Sequence, residues 1–157
     1  MWTVGHITDG AVPDFAWNSW GIPLGYERWT FQIPDPTQRG DAADPDGDGA
    51  LNLLEYATGT DATNKVWVAR LEGVWTNGGF GARFPRANAG DITWRVERTA
   101  DLSGSAWDTI ATKQGSQPWS GPAAIEETDN GSVKLVLVHD LDSSPKQRYL
   151  RLRVTRP

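Results

Sequence analysis

The segment Asp44-Pro45-Asp46-Gly47-Asp48-Gly49-Ala50-Leu51-Asn52-Leu53-Leu54-Glu55 sets carboxylates at the first, third, fifth and twelfth places of a twelve-residue stretch. Calcium takes six to eight hard oxygens at about 2.3–2.6 Å, and a loop running into a helix can supply them in this spacing. Gly49 stands sixth, where the chain must turn with φ > 0. Ala50, seventh, needs only its carbonyl, and Leu51, eighth, is the expected apolar anchor. Asn52, ninth, is placed to ligate through a water, and Glu55 to give two oxygens from the first turn of the exiting helix. An isolated Asp-x-Asp pair reads most simply as an acidic surface turn. Here the Gly and the terminal Glu agree with the three Asp, so the segment reads as a calcium loop with ligands Asp44, Asp46, Asp48, Ala50 and Glu55. Magnesium suits it less, because that ion keeps its waters. Asp41 and Asp61 fall just outside and read as solvated surface charges, Asp61 as a turn residue.

No catalytic set accompanies this loop. Cysteine is absent, which excludes thiol nucleophiles, disulfides and thiolate zinc sites. His6 and His139 are the only histidines, and neither has a nucleophile or metal motif around it. Glu126 and Glu127 point to opposite faces of a short strand, and Asp140 and Asp142 read as solvated turn residues, so no glycosidase pair forms. Arg148, Arg151, Arg153 and Arg156 read as a solvated sheet face. Asn130-Gly131-Ser132 matches a glycosylation sequon but is foremost a hairpin turn. Nine Trp remain to be accounted for. Trp94 and Trp107 alternate with apolar residues and read as core, and Trp29 docks a helix. Trp67 and Trp75 are open to either role. Trp2, Trp17, Trp20 and Trp119 sit in Gly/Pro/Ser-rich contexts, where packing competes with stacking on sugar rings or contact with a neighbouring subunit. Trp17, Trp20 and Trp119 are the candidate glycan or partner contacts.

The elements that must position these residues are mostly strands. The chain has 157 residues, 17 Gly and 10 Pro, a net charge of −5 and a pI near 4.9. That acidity argues against nucleic acid and anionic membranes as partners, and no apolar run is long enough to span a bilayer. The opening Met1–His6 lacks the basic start and apolar stretch of a secretory signal, which suggests a mature form or an excised domain. Three zones follow: an aromatic arm over 1–24, with a short strand over 2–7; the calcium-loop segment over 25–64; and a strand-rich zone over 65–157. Helical spacing predicts Tyr26–Ile33, stopped by Pro34 and Pro36, and Leu51–Thr58, closed by Gly59. Strands are predicted at Val66–Leu71, Gly79–Phe84, Asp91–Arg98, Ala106–Thr112 (Trp107, Thr109 and Ala111 on one face), Ala123–Glu127 at an edge, Ser132–His139 at the centre, and Arg148–Thr155 with Leu150, Leu152 and Val154 inward. The fold class is mainly β: an antiparallel immunoglobulin-like sandwich preceded by a helix–calcium loop–helix unit.

Asp44–Asp61, reading DPDGDGALNLLEYATGTD, resembles the calcium-loop segment of a module found at the C-termini of large secreted bacterial proteins, and more locally thrombospondin type 3 and dockerin loops. Thr93–Leu102 followed by Trp107, and Arg148–Val154, resemble that module's strands, so the likeness spans residues 26–157. It implies an extracellular or cell-surface, non-catalytic module, stabilised by Ca²⁺, that serves in attachment or in assembly with neighbouring copies. A single loop departs from the paired loops of dockerins. The runner-up is a carbohydrate-binding module that recognises polysaccharide through exposed Trp, and a glycan-active enzyme is a poorer third.

Overall fold

The structure is a computed structural model that describes residues 25–65, 71–76, 79–142 and 148–157. The expected arm over 1–24, with Trp2, Trp17 and Trp20, lies outside those residues. So does most of the expected strand Val66–Leu71. Seven strands are described: β1 Glu72–Thr76, β2 Gly79–Ala87, β3 Thr93–Thr99, β4 Asp108–Gln114, β5 Ala124–Asn130, β6 Val133–His139 and β7 Tyr149–Thr155. They form two antiparallel sheets, ordered β1-β2-β6-β5 and β4-β3-β7, in a sandwich-like arrangement.

Period-two patterning accounts for the core. Ile92, Trp94 and Val96 come from the segment of β3, Ala82 and Phe84 from β2, and Val136 and Val138 from β6; all are buried. β6 is central and β5 is an edge, as the alternation predicts. β1 was not expected; Glu-Gly-Val-Trp-Thr has little strand signal apart from its pairing with β2. The expected face of β4 is corrected by a bulge. Val96 pairs with Ala111 but Glu97 with Thr109, so Ile110 is an extra residue in the ladder. Ile110, Ala111 and Lys113 are consequently buried, while Thr109 is exposed. At the β5–β6 hairpin, Asn130 pairs with Val133 and Gly131 takes φ 69 as the first of two loop residues.

The helical elements close one end of the sandwich. Helix α1, Tyr26–Trp29, is one turn, continued by a 3₁₀ turn over Thr30–Gln32; another 3₁₀ turn follows at Pro36–Gln38. Tyr26, Thr30 and Ile33 are buried, the face that helical spacing predicts. Helix α2 is Asn52–Thr58, and Gly59 ends it at φ 80, where a Cβ would run into Val133. Trp94 Nε1 donates to the carbonyl of Ala57, tying α2 to β3. Asp91, just before β3, accepts from the backbone N–H of Tyr26 at 2.8 Å and from the Tyr56 hydroxyl at 2.6 Å. Burial, with this carboxylate beside it, pushes the Tyr56 phenol well above its usual range.

Several charges expected to be solvated are structural. Asp140 is buried and accepts from Arg98 at 2.6 Å and Arg148 at 2.9 Å, joining β6 to the other sheet. Arg151 pairs with Glu97 and lies 4.0 Å from the Trp107 ring centroid. Arg156 donates to Glu27 and Asp41 and sits over the Tyr26 ring. Each charge read singly looks solvated; Asp140 is buried with two guanidiniums paired to it, and removing one of them would leave a buried charge less compensated. Asp91→Ala leaves the buried Tyr56 hydroxyl and Tyr26 N–H without an acceptor, so urea unfolding should show a loss of about 2–4 kcal/mol. Arg83→Ala, at the exposed Glu72 pair, should change stability by less than about 1 kcal/mol in the same assay.

Candidate metal centre

The loop folds around its own aspartates. Asp44 accepts from the backbone N–H groups of Gly47 at 2.9 Å, Asp48 at 3.2 Å and Gly49 at 3.0 Å. Asp46 Oδ1 accepts from the Asp48 N–H, and Asp48 Oδ1 from the Ala50 N–H. Each aspartate thus spends oxygen on the turn, and the two glycines supply the positive φ the turn needs, 72° at Gly47 and 95° at Gly49. The result is convergence: Asp44, Asp46 and Asp48 offer carboxylate oxygens within 4.8 Å of one another.

Glu55 faces the charge of this cluster from α2. Its position is set by the loop's return to the helix. Asn52 N–H donates to Ala43 O, Leu53 N–H to Asp41 O, and Leu54 and Glu55 N–H to Leu51 O. These carbonyls occupy the helix's first N–H groups in place of a side-chain cap. Glu55 is 1 % exposed. Burial, then the charges of Asp46, Asp48, Asp44 and Asp61, push its carboxyl up to about 7. Burial also raises Asp46, with Asp48 and Asp44 adding to it against the pull of the Asp48 N–H.

The unpartnered atoms test whether a cation fits. Asp46 Oδ2, Asp48 Oδ2 and Glu55 Oε2 are buried and accept no hydrogen bond. Buried carboxylate oxygens without donors are costly, and the gathered carboxylates of Asp44, Asp46 and Asp48 belong to the donor set a hard divalent cation takes. The Asp44–Asp46–Asp48 group could therefore hold such an ion, and the geometry alone does not choose its identity.

Other expected roles change. Leu51 is 46 % exposed and anchors nothing; Ala50 beside it is fully buried. Asn52 donates its amide N–H groups to the carbonyls of Gln38 at 2.7 Å and Gly40 at 2.9 Å, while its Oδ1 is buried and accepts no hydrogen bond. It pins the approach to the loop. Asp41 pairs with Arg156 rather than with solvent, while Asp61 is the turn residue expected, accepting from Thr63 N–H and Oγ1. Asp91 and Arg156 carry no sequence signal for their part in seating the loop, since their partners lie 35 to 129 residues away. Trp119 is half-buried, donates to Glu127 at 2.8 Å and meets Phe84 edge-on. His139 is buried, with Nε2 3.4 Å from Glu126. Glu127 is turned to Arg86 and Glu126 is exposed.

In the chelated protein, Glu55 has a folded pKa near 7 against an unfolded value near 4.5. The folded state then binds more protons between those values, so Glu55 lowers stability as pH rises from about 4.5 to about 7. Glu55→Gln removes this contribution. Melts in chelator across that window should show the variant gaining on the wild type as pH rises; a constant difference would refute the assignment of a desolvated, repelled Glu55.

Comparison with protein-family models gives no match, and neither the curated proteins nor the solved structures contain one.

Proposed function

We propose that this chain is a non-catalytic extracellular module whose fold is stabilised by Ca²⁺ and which serves in cell-surface attachment or extracellular assembly. The observation that carries the reading is the trio of buried, unpartnered oxygens on Asp46, Asp48 and Glu55, in a segment with the spacing of a calcium loop. Asp44, Asp46, Asp48, the Ala50 carbonyl and Glu55 would hold the ion. When bound, it supplies the positive charge that lets these carboxylates stay ionised together. The chain's own part is to close the loop on α2, and through Asp91 and Trp94 to hold α2 against the sheets.

We read α1, the loop and α2 as a reduced helix–loop–helix unit and the sandwich as immunoglobulin-like. The order β1-β2-β6-β5 matches strands A-B-E-D, and β3-β7 matches C-F. Weak calcium sites, with dissociation constants of about 10⁻⁴–10⁻³ M, serve extracellular modules because calcium outside cells is abundant.

The test is a melt in chelator and in calcium, with Asp46→Ala beside it. Calcium at about 100 times its dissociation constant should raise Tm by about 5–10 °C, since only the folded state binds it. Asp46→Ala should abolish the rise, and magnesium at the same concentration should give a smaller one. No shift, together with no metal found in the protein before chelation, would overturn the reading.

A further inference from the structure

Where the end of α2 meets the four-stranded sheet, a cleft of about 390 Å³ lies between them. Its size falls in the range of about 300–1,000 Å³ typical of small-molecule sites. Strand alternation decides which side chains line it. Phe84 is buried, so Arg83 and Pro85 stand on the face of β2 turned away from the core. Val133 and Leu135 of β6 share that face, paired with Ala87 and Pro85. Pro85, Val133 and Leu135 give the cleft an apolar floor. Its rim is polar. Asn130, paired with Val133, borders it from β5, and Thr60 borders it just past the end of α2. Further along β2, Arg83 Nε and Nη2 both donate to Glu72 Oε2 across the register with β1. These two side chains are 47 % and 52 % exposed, so both are within reach of a ligand as they stand.

The rim selects the class of ligand. Arg83 and Glu72 are neutral as a pair, so the cleft favours neither an anion nor a cation. It does not suit an added strand: β1 pairs with β2 no further than Arg83, and Pro85 has no N–H to offer. A wholly apolar ligand would strip water from the ion pair and the Asn130 amide and give nothing back. An uncharged molecule with apolar faces and many hydroxyls meets all three conditions. We propose that the cleft binds a neutral saccharide, with a C–H face on Pro85 and Leu135 and hydroxyls on the Arg83–Glu72 pair and Asn130. A guanidinium beside a carboxylate sets donors next to acceptors, which matches neighbouring hydroxyls that each donate and accept. Thr60 supplies a further partner. Its Oγ1 is buried and makes no hydrogen bond. A change of χ1 rotamer turns that hydroxyl toward the cleft, where a sugar oxygen satisfies it. The proposal deepens the attachment reading by naming what is held, and it rests on that reading only for the source of the sugar. The metal centre takes no part: its loop enters α2 at the N-terminal end, and the cleft lies at the other.

The test is binding of the full chain, in calcium, to an array of neutral and acidic oligosaccharides, followed by titration of the best-bound neutral one into variants. Retention should favour the neutral glycans. Arg83→Ala, which leaves stability nearly unchanged, should weaken binding about tenfold or more, because it removes hydrogen bonds from a charged donor. Thr60→Val, which keeps the shape and loses the hydroxyl, should also weaken it. Trp75→Ala should bind as the wild type does, although that ring is 82 % exposed. Binding that survives Arg83→Ala would overturn the cleft as the site, and its loss in Trp75→Ala instead would place the sugar on the exposed ring. Preference for sulfated or uronic glycans would overturn the neutral class. Retention of no glycan would overturn the proposal as a whole, while a Tm that still rises in calcium would leave the metal reading standing.

Discussion

Three aspartates gather carboxylate oxygens within 4.8 Å of one another, and a fourth carboxylate, Glu55, feels their charge with almost no solvent of its own. Asp44, Asp46 and Asp48 can each discharge part of their cost through loop N–H groups. Glu55 has no such outlet, and its side chain sits at the meeting of the loop and α2. The polar chemistry of this end of the molecule follows from how that charge is met. A proton and a divalent cation are the two ways to neutralise it, and they compete for the same oxygen.

The constraint reaches the sheets through few residues. The carbonyl of Glu55 accepts from the N–H groups of Gly59 and Thr60, so the residue facing the aspartates also ends the helix. One residue before Gly59's αL turn, Thr58 bonds back to Leu54 O, and Gly59 abuts Val133 of β6. On the other side Tyr56 reaches Asp91, and Asp91 holds the start of α1. A seven-residue helix has little stability alone. Its order is borrowed from the loop at one end and from Trp94 and Asp91 along its length.

Local rules made much of this legible. The gathering of the three aspartates was readable because their spacing and the two glycines set the loop within a few residues. The inward sets of β2, β3 and β6 were readable because alternation survives wherever one face is buried. What sequence missed was non-local. Nothing near Asp140 shows that Arg98 and Arg148 converge on it, so its carboxylate looked solvated. The bulge at Ile110 breaks the period by one residue and moves Thr109 out of the core face. Asn52 has the spacing of a water-bridging ligand, and nothing local foretells that two backbone carbonyls take its amide N–H groups.

The tryptophans show the same division between local pattern and long-range context. Trp94 is wholly buried because it lies on the inner face of the middle strand of its sheet; its one polar atom finds the Ala57 carbonyl. Trp119 comes from an irregular stretch, yet the bridge between Thr112 and Ser120 folds that stretch over Phe84, and Glu127 takes the indole N–H. Trp107 is covered by Arg151 on the outer face, where the same guanidinium satisfies Glu97. In each case a large ring is matched by a polar or cationic partner brought from another element of the fold. Trp75 differs: it stands beside Phe80 on paired strands and is 82 % exposed. Composition poses one question for all the tryptophans; among the described ones, long-range pairing answers it for Trp94, Trp107 and Trp119 and leaves Trp75 exposed.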